Sequence, residues 1–390
     1  MHIALVTPYL PHPQNTGGRI RVYRLAKALA SSGEVHLFAA LEKEDATAEA
    51  ARCGQGLEPY ARVVTHGADP GRHPAWSADP VRCSAFPTAL IDELVAANDA
   101  KRFDAVLIAH SRAGAAASRL QGTTIIVDEP ELESSVLERR LSGRSRPWLA
   151  GRIELRRWRR FEEQLWIRAD VVTTASEETA REIRRVRPDT GIHIPNGVSV
   201  ETFAYKPPSR RLGNGILFVG HMASHSNEAA ARMLAREVLP RVRERVPDAS
   251  LTIAGRSPSR AVRALESDDV RVTGTVSALA PLYERHATFV IPPVAERTMN
   301  LKVLEPLACG LPLIAPRGAV AGLPLVEAEH YLAAEDLEST LEAVERALTR
   351  RDELDTMALA ARRAAEQLDW DVVGRKFMRV VMAAVVRRRR

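Results

Sequence analysis

Between Phe289 and Ala315 the chain reads FVIPPVAERTMNLKVLEPLACGLPLIA, and this stretch gathers the side chains best placed for chemistry. Its pattern predicts a buried strand (Phe289 to Ile291), a polar loop with one acid and one base (Glu296, Arg297), and a short helix opening near Asn300. Gly310-Leu311-Pro312 then leads into a second apolar strand. A helix that opens beside a polar loop leaves its first N–H groups unpaired and turns the positive end of its dipole outward, an arrangement that suits a diphosphate. Lys302, in the first turn after Met299, Asn300 and Leu301, adds a full positive charge. Glu305 follows one turn later on the same face, placed to accept hydrogen bonds from two vicinal hydroxyls such as those of a ribose. The segment therefore reads as half of a nucleotide site, although a charged first turn on any surface helix would look the same locally. The surrounding elements must decide between these readings.

At 390 residues the chain exceeds the usual size of one core, so two domains are expected. Apolar residues make up 45%, and no run approaches the roughly 18 uninterrupted apolar residues of a membrane span. The opening MHIALVTPYL has neither a basic leader nor a cleavage site and reads as a strand instead of a signal peptide. Cys53, Cys83 and Cys309 are odd in number and far apart, which argues for a reducing compartment and against a disulfide framework or a cysteine metal site. A cytoplasmic protein is expected. The net charge of +6 is mild, but arginines crowd residues 139–168 (Arg139, Arg140, Arg144, Arg146, Arg152, Arg156, Arg157, Arg159, Arg160, Arg168), interleaved with Trp148, Trp158 and Trp166. Such a helix would either lie on the inner face of an anionic membrane or present an ordinary solvated surface. No nucleic-acid motif accompanies the charge, so no nucleic-acid partner is expected.

Strands and helices alternate along the whole chain. The first half predicts strands at Ile3 to Thr7, Glu34 to Ala39, Ala105 to Ile108, Thr124 to Val127 and Val171 to Thr174. Helices are expected at about Ile20 to Ser32 and Thr88 to Ala97, with a long arginine-rich helix before the last strand. After Tyr205 to Asn214, which has the composition of a linker, the pattern restarts. Strands are expected at Gly215 to Val219, Ser250 to Ala254, Val270 to Thr273, Phe289 to Ile291 and near Leu313. Helices fall at Asn227 to Arg245, Arg260 to Glu266, Leu279 to Glu284 and Leu337 to Thr349. Near-continuous apolar strands alternating with helices predict parallel sheets covered on both faces, with ligands at the carboxyl ends of the strands. The expected fold class is α/β, with two doubly wound, Rossmann-like domains facing a cleft: residues 1–205, joined by a C-terminal helix over 371–390, and residues 206–370.

The second half resembles nucleotide-sugar glycosyltransferases of GT-B fold, family four. The likeness is carried by ILFVGHMASHSNEAA (Ile216 to Ala230), LTIAGRSP (Leu251 to Pro258), VRVTGTV (Val270 to Val276) and NLKVLEPLACGLPLIA (Asn300 to Ala315). The first half adds PHPQNTGGRIRVYRLAKAL (Pro11 to Leu29) and IHIPNGVSVETF (Ile192 to Phe203). The last motif is similar to that of the bacterial sugar transferase branch with N-x-K-V-L-E.

That resemblance implies a retaining, metal-independent transferase of hexosyl units, with a nucleoside diphosphate sugar as co-substrate, no cofactor and an unidentified acceptor. It implies that Gly17 and Gly18 admit close backbone approach to a phosphate or sugar, and that Arg19 and Arg21 neutralise the leaving diphosphate. Gly220 and His221 would line the donor site after the first strand of the second half. Glu305 matches the second acid of the family's paired glutamates, the one that binds ribose, and His110 the histidine that contacts the transferred sugar. Asp128, Glu129 and Glu131 would meet the acceptor, act as a base or cap the following helix.

Two departures stand out. Glu296 and Glu305 have eight residues between them (297 to 304) where the family has seven, which affects whether Glu296 reaches the donor sugar. His221-Met222-Ala223-Ser224-His225 stands where the family has an Arg and a Lys on the diphosphate. Lys302, Arg297 or the first-half arginines must then supply that charge. A sugar-nucleotide binder without turnover and an epimerase on the same fold are the alternatives.

Overall fold

The computed structural model describes residues 1–14, 16–41, 57–67, 86–142, 149–295 and 301–390, with only the backbone described at Ser142 and Leu301. The chain forms two compact units, Met1–Pro195 together with Asp371–Arg390, and Asn196–Trp370.

In the first unit seven strands pair in parallel: β1 (His2–Thr7), β2 (Glu34–Leu41), β3 (Arg62–Gly67), β4 (Ala105–Ala109), β5 (Thr124–Glu129), β6 (Val171–Thr174) and β7 (Gly191–His193). Their order, β3-β2-β1-β4-β5-β6-β7, reverses direction between β1 and β4. Residues Ala4 to Thr7 and Ala105 to Ile108 are almost entirely shielded, as strands covered on both faces require. The second unit repeats the plan with β8 (Gly215–Val219), β9 (Ser250–Ala254), β10 (Val270–Gly274), β11 (Thr288–Val290), β12 (Leu313–Ala315) and β13 (Leu332–Ala333), ordered β10-β9-β8-β11-β12-β13 and again parallel. Its reversal lies between β8 and β11. In such sheets the loops after the two strands at the reversal splay apart and leave a ligand crevice at their carboxyl ends.

Several elements differ from expectation. The first helix spans Gly17–Ala30, starting three residues before Ile20, because the Thr16 hydroxyl caps it by accepting from the Arg19 N–H at 3.4 Å. The arginine-rich region forms helices Glu133–Ser142 and Leu149–Arg168, and Arg144, Arg146 and Trp148 fall outside the described residues. Trp158, Phe161, Leu165 and Trp166 are buried at helical spacing, so these two tryptophans belong to the core of the first unit and are not offered to a membrane. The exposed face carries Arg152, Ile153, Arg156, Arg159 and Arg160. The segment Tyr205 to Asn214 is part of the second unit: Arg211, 2% exposed, donates to the carbonyls of Tyr283 (2.6 Å), His286 (3.1 Å) and Cys309 (2.7 Å). Its Pro and Gly content signals irregular backbone, which one buried guanidinium pins down. β3, β13 and the helices Glu177–Val186 and Asp355–Gln367 went unanticipated.

The final helix, Trp370–Arg389, belongs to the first unit and packs on its first helix, where a Cβ added at Gly374 would come within 2.8 Å of Ala28 Cβ. Within the second unit the two chain passages next to the boundary are bonded to each other. Val198 N–H donates to the Leu368 carbonyl (2.9 Å), and Trp370 N–H donates to that of Val198 (3.0 Å).

The polar centre of the first unit is Arg21, 1% exposed, whose Nε and Nη2 each donate to an Asp128 carboxylate oxygen at 2.8 Å. Its Nη1 donates to the carbonyls of Ile194 and Pro195, and the Thr173 hydroxyl donates to Asp128 Oδ1 at 2.7 Å. Arg21, expected beside the diphosphate, is instead engaged by internal partners. Removing one member strands a buried charge, so Arg21→Met and Asp128→Leu are each expected to cost about 3–5 kcal/mol in urea denaturation. The double variant should cost less than the sum of the two.

Candidate functional site

At the reversal of the second sheet, β8 ends and Gly220 and His221 begin the next loop. Gly220 donates its N–H to the Ala254 carbonyl (3.0 Å), and the buried Asn227 amide donates to the carbonyl of His221 (3.0 Å), leaving the imidazole of His221 exposed. Gly255 comes so close that a Cβ there would lie 1.7 Å from the Gly220 carbonyl oxygen, and its φ of 143° is open to glycine alone. These two glycines let the loops after β8 and β9 pack backbone to backbone at the crevice floor.

Across the reversal, β11 leads toward the helix Leu301–Ala308. Glu296, Arg297, Met299 and Asn300 fall outside the described residues. The helix ends with Gly310 in the left-handed region (φ 66°), its N–H donating to the Leu307 carbonyl, and passes through Leu311-Pro312 into β12. Lys302 and Glu305 are three apart and so share a face.

Glu305 is the most informative side chain. Its Oε2 accepts a 2.7 Å hydrogen bond from the hydroxyl of the fully buried Tyr283, while Oε1 has no hydrogen-bond partner among the described residues. Burial pushes its pKa up to about 7, against the lowering effect of the Tyr283 bond and of Lys302. A carboxylate with one oxygen clamped and the other available is held ready to accept from a hydroxyl. Tyr283, on the helix Ala280–Arg285, was not anticipated, because a tyrosine on an amphipathic helix reads as core and nothing local marks its partner.

At the reversal of the first sheet, β1 runs into the loop before the helix Gly17–Ala30 and β4 runs into His110. No acid stands in the first turn of that helix. A Cβ on Gly18 would come within 2.7 Å of the Tyr9 hydroxyl, so glycine is needed for that approach. Arg19 is 8% exposed and donates to the His12 carbonyl at 3.3 Å.

His110 has a backbone φ of 85°, a costly conformation for a residue with a Cβ, held by its N–H bond to the Asp128 carbonyl (2.8 Å). Its Nδ1 accepts from the Arg112 N–H (3.4 Å), so Nε2 carries the proton; it stands 3.5 Å from Glu133 Oε1. Burial, and then Arg112, push its pKa down to about 4, leaving a neutral imidazole at pH 7. Arg112 and Glu133, which flank it, were not anticipated.

The acids at and just beyond the end of β5 have structural partners. Asp128 belongs to the Arg21 pair, Glu131 pairs with Arg139, and Glu129, wholly buried, accepts from the Ser111 N–H at 3.2 Å. Burial and the neighbouring Glu162 raise the pKa of Glu129 well above the ordinary carboxyl range.

Residues 16–197 match the family described as glycosyl transferase 4-like domain, and residues 213–350 match glycosyl transferases group 1. Its two halves are glycosyltransferase domains. Among solved structures, sucrose-phosphate synthase from Thermosynechococcus elongatus is similar over 99% of this chain and 100% of its own (TM-score 0.67, 16% identity). The Anabaena protein HepE in complex with UDP is similar over 98% and 100% (TM-score 0.69, 13% identity). The lipopolysaccharide outer core galactosyltransferase WaaB is similar over 98% and 99% (TM-score 0.63, 13% identity). At these identities the likeness is one of fold, and the fold is GT-B. No curated protein matches in sequence.

The clamp on Glu305 predicts a titration. Carbon-13 NMR of the Glu305 carboxyl should give a midpoint near 7. Because the tyrosine bond favours the charged form, Tyr283→Phe should move that midpoint upward.

Proposed function

We propose that this glycosyltransferase moves a hexosyl unit from a nucleoside diphosphate sugar to an acceptor hydroxyl, with retention at the anomeric carbon and without a metal. The observation that carries the reading is the face shared by Lys302 and Glu305 at the reversal of the second sheet, with Glu305 clamped by Tyr283 and its other oxygen available. The ribose hydroxyls would donate to Glu305, and Lys302 with the opening of its helix would hold the diphosphate. The solved HepE complexes with UDP and with UDP-glucose, on the same fold, support this donor class.

In the reaction the bond from the anomeric carbon to the diphosphate oxygen breaks as positive charge builds on the sugar. The acceptor oxygen attacks from the same face, and its proton passes to the departing phosphate. No enzymatic nucleophile is required. What the protein must supply is fixed charge for the diphosphate, which Lys302 and the opening of its helix would bring. Gly17 and Gly18 would let the backbone approach the phosphate or sugar. Gly220 and His221 would border the donor, with Arg297, Met299, Asn300 and Leu301 at the mouth of the helix and Glu296 toward the sugar. The neutral His110, with a fixed Nε2–H, is suited to donate to a sugar hydroxyl and not to act as a cation.

An acceptor in polysaccharide, glycolipid or natural-product assembly fits this chemistry. No helix among the described residues is long and apolar enough to cross a membrane, so a lipid-borne acceptor would be met at a surface, and the exposed arginine face of Leu149–Arg168 is suited to that.

The test incubates the protein, with EDTA present, with UDP-, GDP- and dTDP-sugars and follows thermal stabilisation and diphosphate release. One donor should stabilise selectively, with affinity rising as pH climbs through about 7 and Glu305 ionises. Glu305→Ala and Lys302→Ala should each weaken binding at least about tenfold, the scale of a lost charged hydrogen bond. Absence of stabilisation by every nucleotide would refute the site. Binding without release of nucleoside diphosphate in the presence of any acceptor would favour a binder without turnover.

A further inference from the structure

The amino ends of the first sheet, opposite the ends that carry the candidate site, hold a side-chain group that the transfer reaction does not use. β1 and β2 pair with His2 directly across from Glu34. His36 lies two residues beyond Glu34 on the same strand, so all three side chains emerge on one face. His2 Nδ1 and His36 Nε2 each stand 3.4 Å from the same oxygen, Glu34 Oε2, and all three candidate ligand atoms lie within 4.8 Å of one another. We propose that His2, Glu34 and His36 form a binding site for a divalent transition-metal ion of the zinc class.

The spacing carries the argument. An ion with four tetrahedral bonds of about 2.0–2.1 Å holds neighbouring ligand atoms about 3.4 Å apart. Two of the three edges already have that length, the third lies within 4.8 Å, and the His2 ring at its end is exposed. Two imidazoles and one carboxylate select borderline ions, since magnesium and calcium prefer all-oxygen shells. One ligand is preset: His36 is 3% exposed and its ring rests against Phe103, centroid to centroid 5.4 Å. His2 and Glu34 sit on the exposed rim, giving the ion an entry path and leaving its remaining position for water. The charged groups nearby are Lys101, which acts on both Glu34 and His36, and Asp104, which accepts from the His2 N–H (2.8 Å) and pairs with Arg389. At this end of the sheet the ion would cross-link β1 to β2 and take no part in sugar transfer.

The test uses the full-length, untagged protein after treatment with a chelator. Isothermal titration with zinc chloride should show saturable one-to-one uptake and a raised thermal midpoint, and cobalt(II) should give the visible absorption of a four-coordinate site. His2→Asn and Glu34→Gln, at exposed positions where folding is preserved, should each weaken uptake at least tenfold without changing the circular dichroism spectrum. Uptake that is absent, or that persists unchanged in the His2→Asn, Glu34→Gln double variant, would overturn the proposal and leave a hydrogen-bonded His–Glu–His cluster. Donor binding in EDTA does not enter this result.

Discussion

Much of the first unit is organised by one buried ion pair. A guanidinium taken out of water is tolerated when its donors find acceptors, and Arg21 finds them in Asp128 and the carbonyls of Ile194 and Pro195. Those partners lie on β5 and on the stretch after β7. The pair therefore fixes the helix Gly17–Ala30 against the end of β5, β6 through Thr173, and the stretch that follows β7. The glycine turn that opens this helix, and the strained His110 bonded to the Asp128 carbonyl, both inherit their positions from it. Arg211 plays the equivalent part in the second unit, collecting the three carbonyls that fix the helix bearing Tyr283 and the end of the helix bearing Glu305.

Burial tunes the two most distinctive side chains in opposite senses. It lifts the Glu305 carboxyl to about 7 and drops the His110 imidazole to about 4. In both cases desolvation penalises the charged form and sets the direction, and neighbours modify it: Tyr283 and Lys302 pull the glutamate part of the way back toward ionisation, while Arg112 pushes the histidine further from it. A carboxyl poised between its forms and a histidine fixed in one tautomer are two different tools produced by the same physical force.

The architecture was legible in the sequence because parallel strands covered on both faces are apolar at nearly every position, and β1, β4, β8 and β9 announce themselves that way. β3 was not, since five of its six residues stay exposed or partly exposed and its RVVTHG carries no strong pattern. β13 has only two residues and leaves no periodicity to read. Glu305 could be singled out because its helix, glycine cap and following strand are local signals. Tyr283 could not, as its value lies in a partner 22 residues away. Composition also misled in two places. Tryptophans among arginines suggested a membrane face, whereas Trp158 and Trp166 occupy the apolar stripe of an amphipathic helix; and the Pro and Gly around Arg211 suggested a linker in a segment that is firmly held.

The last twenty residues complete a unit that the first 195 began. A ribosome therefore releases the helix Gly17–Ala30 long before the element that covers Ala28 exists, and the whole of Asn196–Trp370 is made in the interval. Domains on a growing chain fold as units in order of synthesis. The first unit must therefore wait, with one side of its opening helix bare, until residues 371–390 have been made.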